Sequence, residues 1–159
     1  MFRFEKKYIL FYFLFSILFG DVKFNEIVDL KVTKDRDSYR IGEFLKLTFE
    51  INVADNFCIY STDSLKAPMG GETYVEYYDS MIFKNIGNLV EPIPITKFDK
   101  NFNQETSSHE GSFSFIQTLT INDDYDLEND SIYVFEASLF ATACDPGQCV
   151  RVIEDFEIS

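Results

Sequence analysis

Phe44-Leu45-Lys46-Leu47-Thr48-Phe49-Glu50-Ile51-Asn52-Val53 alternates apolar and polar side chains without a break. Leu45, Leu47, Phe49, Ile51 and Val53 fall on one face, and Lys46, Thr48, Glu50 and Asn52 on the other. Successive side chains of a strand point to opposite sides, so this pattern predicts an antiparallel strand with one face in a core and one in water. The same period returns at Phe113, Phe115, Gln117, Leu119 and Ile121.

The chain around these two strands reads the same way. Ile27-Val28-Asp29-Leu30-Lys31-Val32 opens the pattern, and residues 35–42 form a polar turn that ends in Gly42. Asp55-Asn56 turns the chain into Phe57-Cys58-Ile59-Tyr60, and residues 73–78 and 81–83 predict further short strands. Residues 92–111 show no periodicity and carry Pro92, Pro94, Asp99, Asn101, Asn103, Ser107 and Ser108, which predicts a long surface loop of the kind that is often functional. Residues 123–130 predict an acidic turn, residues 133–141 a strand, and residues 150–153 and 156–158 its return. Short strands separated by turns, with no helical period and no repeat, predict an all-β antiparallel β-sandwich.

A leader precedes this pattern. Met1-Phe2-Arg3-Phe4-Glu5-Lys6-Lys7 is a basic head, and residues 8–19 carry no charge. An apolar run of about a dozen residues fits a secretory signal better than a membrane span of about 20. Leu18 is a poor small-residue partner for cleavage after Gly20, so an uncleaved anchor is the alternative. The expected division is a signal or anchor at 1–20 and one domain at 21–159, long enough for a single core.

The whole sequence has a formal net charge of −13, and removing residues 1–20, with three basic and one acidic side chain, leaves −15. This balance argues against nucleic acid or an anionic membrane surface as partner, since both are polyanions. Contact with a membrane is expected only through the leader.

The chemistry concentrates in Ala143-Cys144-Asp145-Pro146-Gly147-Gln148-Cys149-Val150. An exported chain sits where disulfides form and persist, and a Pro-Gly turn lets the two cysteines meet. Closing so small a ring stabilises the fold by roughly 2 kcal/mol in the loop-entropy model. That is little for a structural staple, so a redox role competes with it. Asp145 disfavours a thiolate on its neighbour Cys144, whereas Arg151, two residues beyond Cys149 and on the same side of a strand, favours one there. The expectation is that Cys149 exchanges with partners and Cys144 is its internal partner. Cys58, between Phe57 and Ile59, reads as a buried inert thiol, the alternative being a thiol that lines the same site.

Other chemistries fit less well. A metal site would draw on Cys58, Cys144, Cys149 and the single histidine, His109, but the cysteine spacing lies at the edge of zinc spacing and no second pair exists. His109 has no nucleophile motif to serve. Asp123, Asp124 and Asp126 lack the glycine and closing glutamate of a calcium loop. No metal and no cofactor are expected.

Read in order, several segments carry a resemblance. They are Asp55-Asn56-Phe57-Cys58-Ile59-Tyr60, Gly70-Gly71-Glu72-Thr73, the stretch from Gly87 to Glu91-Pro92, Phe98-Asp99-Lys100-Asn101-Phe102, the strand from Gly111 to Ile121, and Ala143-Cys144-Asp145 with Cys149. Together the set resembles the amino-terminal periplasmic domain of the thiol:disulfide interchange protein DsbD family, over nearly all of the chain after the leader. The resemblance implies an immunoglobulin-like sandwich that needs no cofactor. It further implies a thioredoxin-like electron donor, itself reduced through a membrane domain, and periplasmic thioredoxin-fold acceptors such as a disulfide isomerase or a cytochrome c maturation protein. Cys144 and Cys149 would be the redox pair, the second forming the mixed disulfide. Phe102, with Asp99, would belong to a cap that shields the pair, and Tyr60 would line the site.

The sequence departs from that pattern in three places. Val150-Arg151-Val152 stands where prolines are frequent, and Cys58 stands where an aromatic or histidine is usual. The sequence also stops at Ser159, so a stand-alone chain with its donor on a separate protein is expected. The alternative from another class is a non-enzymatic β-sandwich that binds a protein or assists envelope assembly, its disulfide purely structural.

Overall fold

The alternating segments pair as antiparallel strands in a computed structural model that describes residues 27–100, 102–124 and 132–159. Ten strands occur among the described residues: β1 (Val28–Lys34), β2 (Phe44–Val53), β3 (Cys58–Tyr60), β4 (Tyr74–Tyr77), β5 (Phe83–Ile86), β6 (Ile95–Asp99), β7 (Gln104–His109), β8 (Ser112–Ile121), β9 (Phe135–Cys144) and β10 (Cys149–Ile158). One sheet has the order β1-β2-β8-β5, and the other β10-β9-β3-β7-β6, with β4 extending the β3 side of β9. Two sheets of antiparallel strands around one core make an all-β, immunoglobulin-like β-sandwich.

The core follows the period-two face read from the sequence. Leu45, Leu47, Phe49, Ile51 and Val53 are all buried, and so are Phe115 and Leu119 of β8. Phe49 and Phe115 are register partners in β2 and β8. The opposing sheet contributes Ala137, Leu139, Ala141 and Ala143 from β9 and Val152 from β10. Phe49 meets the Phe156 ring edge to face at 5.5 Å, an arrangement aromatic quadrupoles favour. Gln117 is the polar exception on the core face of β8. Its Oε1 accepts from the Tyr77 hydroxyl at 2.7 Å and its Nε2 donates to Gly87 O at 2.8 Å, so the buried amide is satisfied.

Three segments differ from the sequence reading. Residues 92–111 are not a long loop: they hold the β6–β7 hairpin, which turns through Asn103 at φ 53°. Its buried positions are Thr106, Ser107, Ser108 and His109, whose polarity hides the strand from a hydrophobic pattern. Their polar atoms are paired instead, Ser107 Oγ with Thr96 Oγ1 at 2.8 Å and His109 Nε2 with Glu91 Oε2 at 2.8 Å. Residues 80–82 form a 3-10 turn, and the strand expected at 81–83 begins at Phe83 and runs to Ile86. The strand expected at 133–141 begins at Phe135 and extends through Cys144.

The leader at 1–20, and with it the division at residue 21, lies outside the described residues. Among the described residues, no helix is long and apolar enough to cross a membrane.

Candidate functional site

Strands β9 and β10 form a hairpin in which every residue from Phe135 to Cys144 has a partner, and the last rung at the turn is Cys144 opposite Cys149. A disulfide joins them. The turn beyond is already held without it. Asp145 N donates to Gln148 O at 2.9 Å, and Asp145 Oδ1 accepts from Gly147 N at 2.7 Å and Gln148 N at 2.8 Å. A short side chain that folds back on the backbone two and three residues later is an Asx turn. Asp145 therefore shapes the loop as well as setting its charge, a role the sequence reading missed although the Asp-Pro-Gly run carries that signal.

Alternation along β9 places Ala143 in the core and Cys144 on the outer face of the sheet. Cys149 is exposed and Cys144 half-buried. Cys149 and Arg151 lie on the same outer face of β10, as alternation requires. Arg151 directs its guanidinium along that face: Nη1 donates to Gly70 O at 3.1 Å and Nη2 to the Tyr74 hydroxyl at 3.0 Å. The same group lies 5.6 Å from the ring centres of Tyr74 and Phe140, which stack on each other at 4.9 Å. It thereby fastens the segment around Gly70 to the sheet next to the cysteines. Gly71 in that segment has no room for a side chain, because a Cβ there would stand 2.8 Å from Thr142 Oγ1.

On the other side of β9, Cys58 is the register partner of Cys144, with Ile59 opposite Ala143. One level further along, Tyr60 of β3 faces Ser108 of β7. A cleft of about 680 Å³ opens over this part of the sheet. Cys58, Tyr60 and Cys144 lie on its floor face, and Phe98, Asp99, Lys100 and Asp145 are among the residues around it. Burial pushes the Cys58 thiol pKa up, the Ser108 hydroxyl pulls it partly back, and Glu110 adds to the rise. Tyr60 is raised by burial first, then by the Asp99 carboxylate and by Cys58.

Each site residue expected from the sequence can now be placed. Cys144, Cys58, Tyr60, Asp99 and Asp145 line one cleft, and Cys149 is bonded to Cys144 at its edge. Phe102 sits half-buried in the β6–β7 turn, where its N–H approaches Asp99 Oδ1 at 3.4 Å. From its segment, the aromatic ring that lines the cleft is Phe98, 59% exposed. Period-two reading could not find Phe98, because β6 is an exposed edge strand with no buried face.

His109 pairs with Ile59 and shares its inward face, away from the cysteines. It packs on Phe113 and Phe115 at 4.7 and 5.2 Å and bonds to Glu91. Among the described residues, no three His, Cys, Asp or Glu side chains converge as a metal site.

No family model matches the chain. No curated protein matches it in sequence. Among solved structures, it is similar to the N-terminal periplasmic domain of ScsB from Proteus mirabilis, with a TM-score of 0.62 and 15% identity over 84% of this chain and 47% of that one. It is also similar to the reduced form of the DsbD N-terminal domain from Neisseria meningitidis, with a TM-score of 0.50 and 12% identity over 91% of each chain. The chain thus spans about half the length of the ScsB structure it matches. At these identities the likeness establishes the fold: the sandwich is that of a DsbD-type N-terminal domain.

Proposed function

We propose that this sandwich is an exported thiol–disulfide exchange domain, working in the periplasm through Cys144 and Cys149. The observation that carries the reading is the hairpin turn. Its geometry is held by the β9–β10 ladder and by Asp145, so the disulfide is redundant as a staple, while Cys149 is an exposed residue. A bond that adds little to the fold and stands open to a partner is suited to exchange.

The chemistry needs no cofactor. A donor thiolate attacks Cys149 Sγ, the bond to Cys144 breaks, and Cys144 leaves as a thiolate. A second donor thiolate then attacks the donor sulfur of the mixed disulfide, so the donor becomes a disulfide and Cys149 is freed. The chain has gained two electrons. In the forward step the Cys149 thiolate attacks an acceptor disulfide, and Cys144 resolves the product by closing the original bond. Arg151, on the same face one alternate position along β10, favours the Cys149 thiolate through its field, and Asp145 disfavours one at Cys144. Tyr60 and the segment carrying Phe98, Asp99 and Phe102 line and cover the approach to the pair.

The donor class is a thioredoxin-like domain or protein. The acceptors are thioredoxin-fold periplasmic proteins of the disulfide isomerase or cytochrome c maturation type. Residues 1–20 would serve as the export signal or as an inner-membrane anchor.

The test is the equilibrium of the Cys144–Cys149 bond with a glutathione buffer. A reduction potential of about −180 to −270 mV is expected, in the range of exchange proteins. A value below about −300 mV would assign the bond to structure and leave a binding module. Mixed-disulfide trapping with a thioredoxin-fold partner should succeed in a Cys144→Ser variant through Cys149. Trapping through Cys144 alone would reverse the roles of the two sulfurs.

A further inference from the structure

We propose that Cys58 is a third exchanging sulfur, which displaces Cys149 from Cys144 and converts the oxidised chain into one with a Cys58–Cys144 bond and a free Cys149 thiol. The proposal needs only the Cys144–Cys149 bond, and goes beyond the relay by giving the oxidised chain a nucleophile of its own.

The geometry comes from register. Cys58, Cys144 and Cys149 occupy one level of three consecutive strands, β3, β9 and β10, with Cys144 in the middle. Directly opposed residues of antiparallel strands have Cα atoms about 4.5 or 5.5 Å apart, and both spacings accommodate a disulfide. Cys58 and Cys149 are two strands apart, about 9.6 Å, which is beyond the reach of a bond. Displacement at sulfur proceeds with attacking and leaving sulfurs on opposite sides of the central one, and the row places them in that order. Cys58 is half-buried and opens on the same cleft as Cys144, so no core has to unpack for the sulfurs to meet.

The step balances within the chain. Cys58 loses its proton to water or buffer, and its thiolate attacks Cys144 Sγ. The Cys58–Cys144 bond forms, the Cys144–Cys149 bond breaks, and Cys149 leaves as a thiolate that takes up a proton. No electrons enter or leave. Burial keeps Cys58 mostly protonated at neutral pH, so exchange is slow there and speeds up as the pH rises. The product carries its thiol on the exposed residue of the three, where the disulfide of a partner protein can reach it. An oxidised chain of this kind can start disulfide rearrangement in a partner without a reductant.

The full chain tests this by peptide mapping after acid quench. In a Cys149→Ser variant oxidised with glutathione disulfide, the expected main product is an internal Cys58–Cys144 bond. In a Cys144→Ser variant, the expected product is glutathione on Cys149 with Cys58 still a thiol. Oxidised wild-type chain treated with iodoacetamide should carry label on Cys149 with Cys58 bonded to Cys144. The rate of that labelling should rise about tenfold per pH unit while Cys58 remains mostly protonated. A Cys58→Ala variant should lose it. Glutathione on Cys144 beside a free Cys58 in the Cys149→Ser variant overturns the proposal, as does wild-type label confined to Cys58. The wild-type measurement decides the matter if the serine variant does not fold. Failure of the relay would appear separately, as a structural reduction potential with the internal exchange intact.

Discussion

The Asp145 carboxylate accepts a hydrogen bond from the Gly147 N–H at 2.7 Å, inside the ring closed by the two cysteines. The same oxygen accepts from Gln148 N at 2.8 Å, so one side chain preorganises the turn that brings the sulfurs together. An Asp145→Ala variant loses that order and also loses a negative charge next to the reduced pair. Both effects favour the dithiol. The reduction potential should rise by about 20–40 mV, equivalent to about 1–2 kcal/mol. Asp145→Asn keeps an acceptor and should shift it less. Glutathione equilibration of the three proteins checks both statements.

Arg151 and Cys149 stand two residues apart, about 7 Å between Cα atoms. A unit charge at that separation in water contributes about 0.6 kcal/mol, an upper limit because the guanidinium is turned to Gly70 O and the Tyr74 hydroxyl. Arg151→Gln should slow alkylation of reduced Cys149 at neutral pH by at most about threefold. The lost bonds to Gly70 O and the Tyr74 hydroxyl should also make the segment around Gly70 more sensitive to protease. Lysine restores the charge without the fork, so Arg151→Lys should recover the alkylation rate but not the protease resistance.

Phe98 is an exposed ring beside the cysteine cleft. Phe98→Ala should speed exchange of the disulfide with small thiols by about two- to fivefold, the loss of about 0.5–1 kcal/mol of shielding contacts. Phe102→Ala, made in the turn, should change that rate less than Phe98→Ala does. Glutathione exchange kinetics compare the two.

Glu91 holds three groups at once. Its oxygens accept from Thr62 N and Thr62 Oγ1, each at 3.0 Å, and meet His109 Nε2 at 2.8 Å. His109 is only 5% exposed, so its ring nitrogen has little access to water as a substitute partner. Glu91→Ala should cost about 2–4 kcal/mol in urea unfolding, and Glu91→Gln should recover part of it.

Asp35 ties the first strand to the second. Its carboxylate pKa lies below the ordinary 3.8, first because Lys46 N–H donates to it at 2.9 Å and then because the Tyr39 hydroxyl does at 2.8 Å. A depressed folded-state value means that this stability is present above the ordinary carboxylate range and is lost as the pH falls through the folded value. Asp35→Ala should therefore destabilise the protein by about 1 kcal/mol at pH 7 and by much less at pH 3. Urea midpoints at the two pH values check it.

The strands with apolar faces were legible because their side chains report burial directly. β2 and β8 matched their alternating faces, and Gln117, which interrupts one of them, is satisfied in place by Tyr77. β6 and β7 were not legible. One is an exposed edge, and the other buries Thr, Ser and His through hydrogen bonds that only its neighbours supply.

The cysteines divide in the same way. Sequence by itself determined that Cys144 and Cys149 meet, because the four residues between them, with an Asp-Pro-Gly turn, bring the two together locally. It also determined the two core strands, whose period admits one register of faces. Only the tertiary structure decided that Cys58 stands opposite Cys144 and that Phe98 lines the cleft. Cys58 reaches Cys144 across 86 residues of chain, and which rung it occupies is set by Ile59 entering the core opposite Ala143. A shift of one residue would turn the thiol inward and expose the isoleucine, so packing of the whole sandwich fixes the row of three sulfurs.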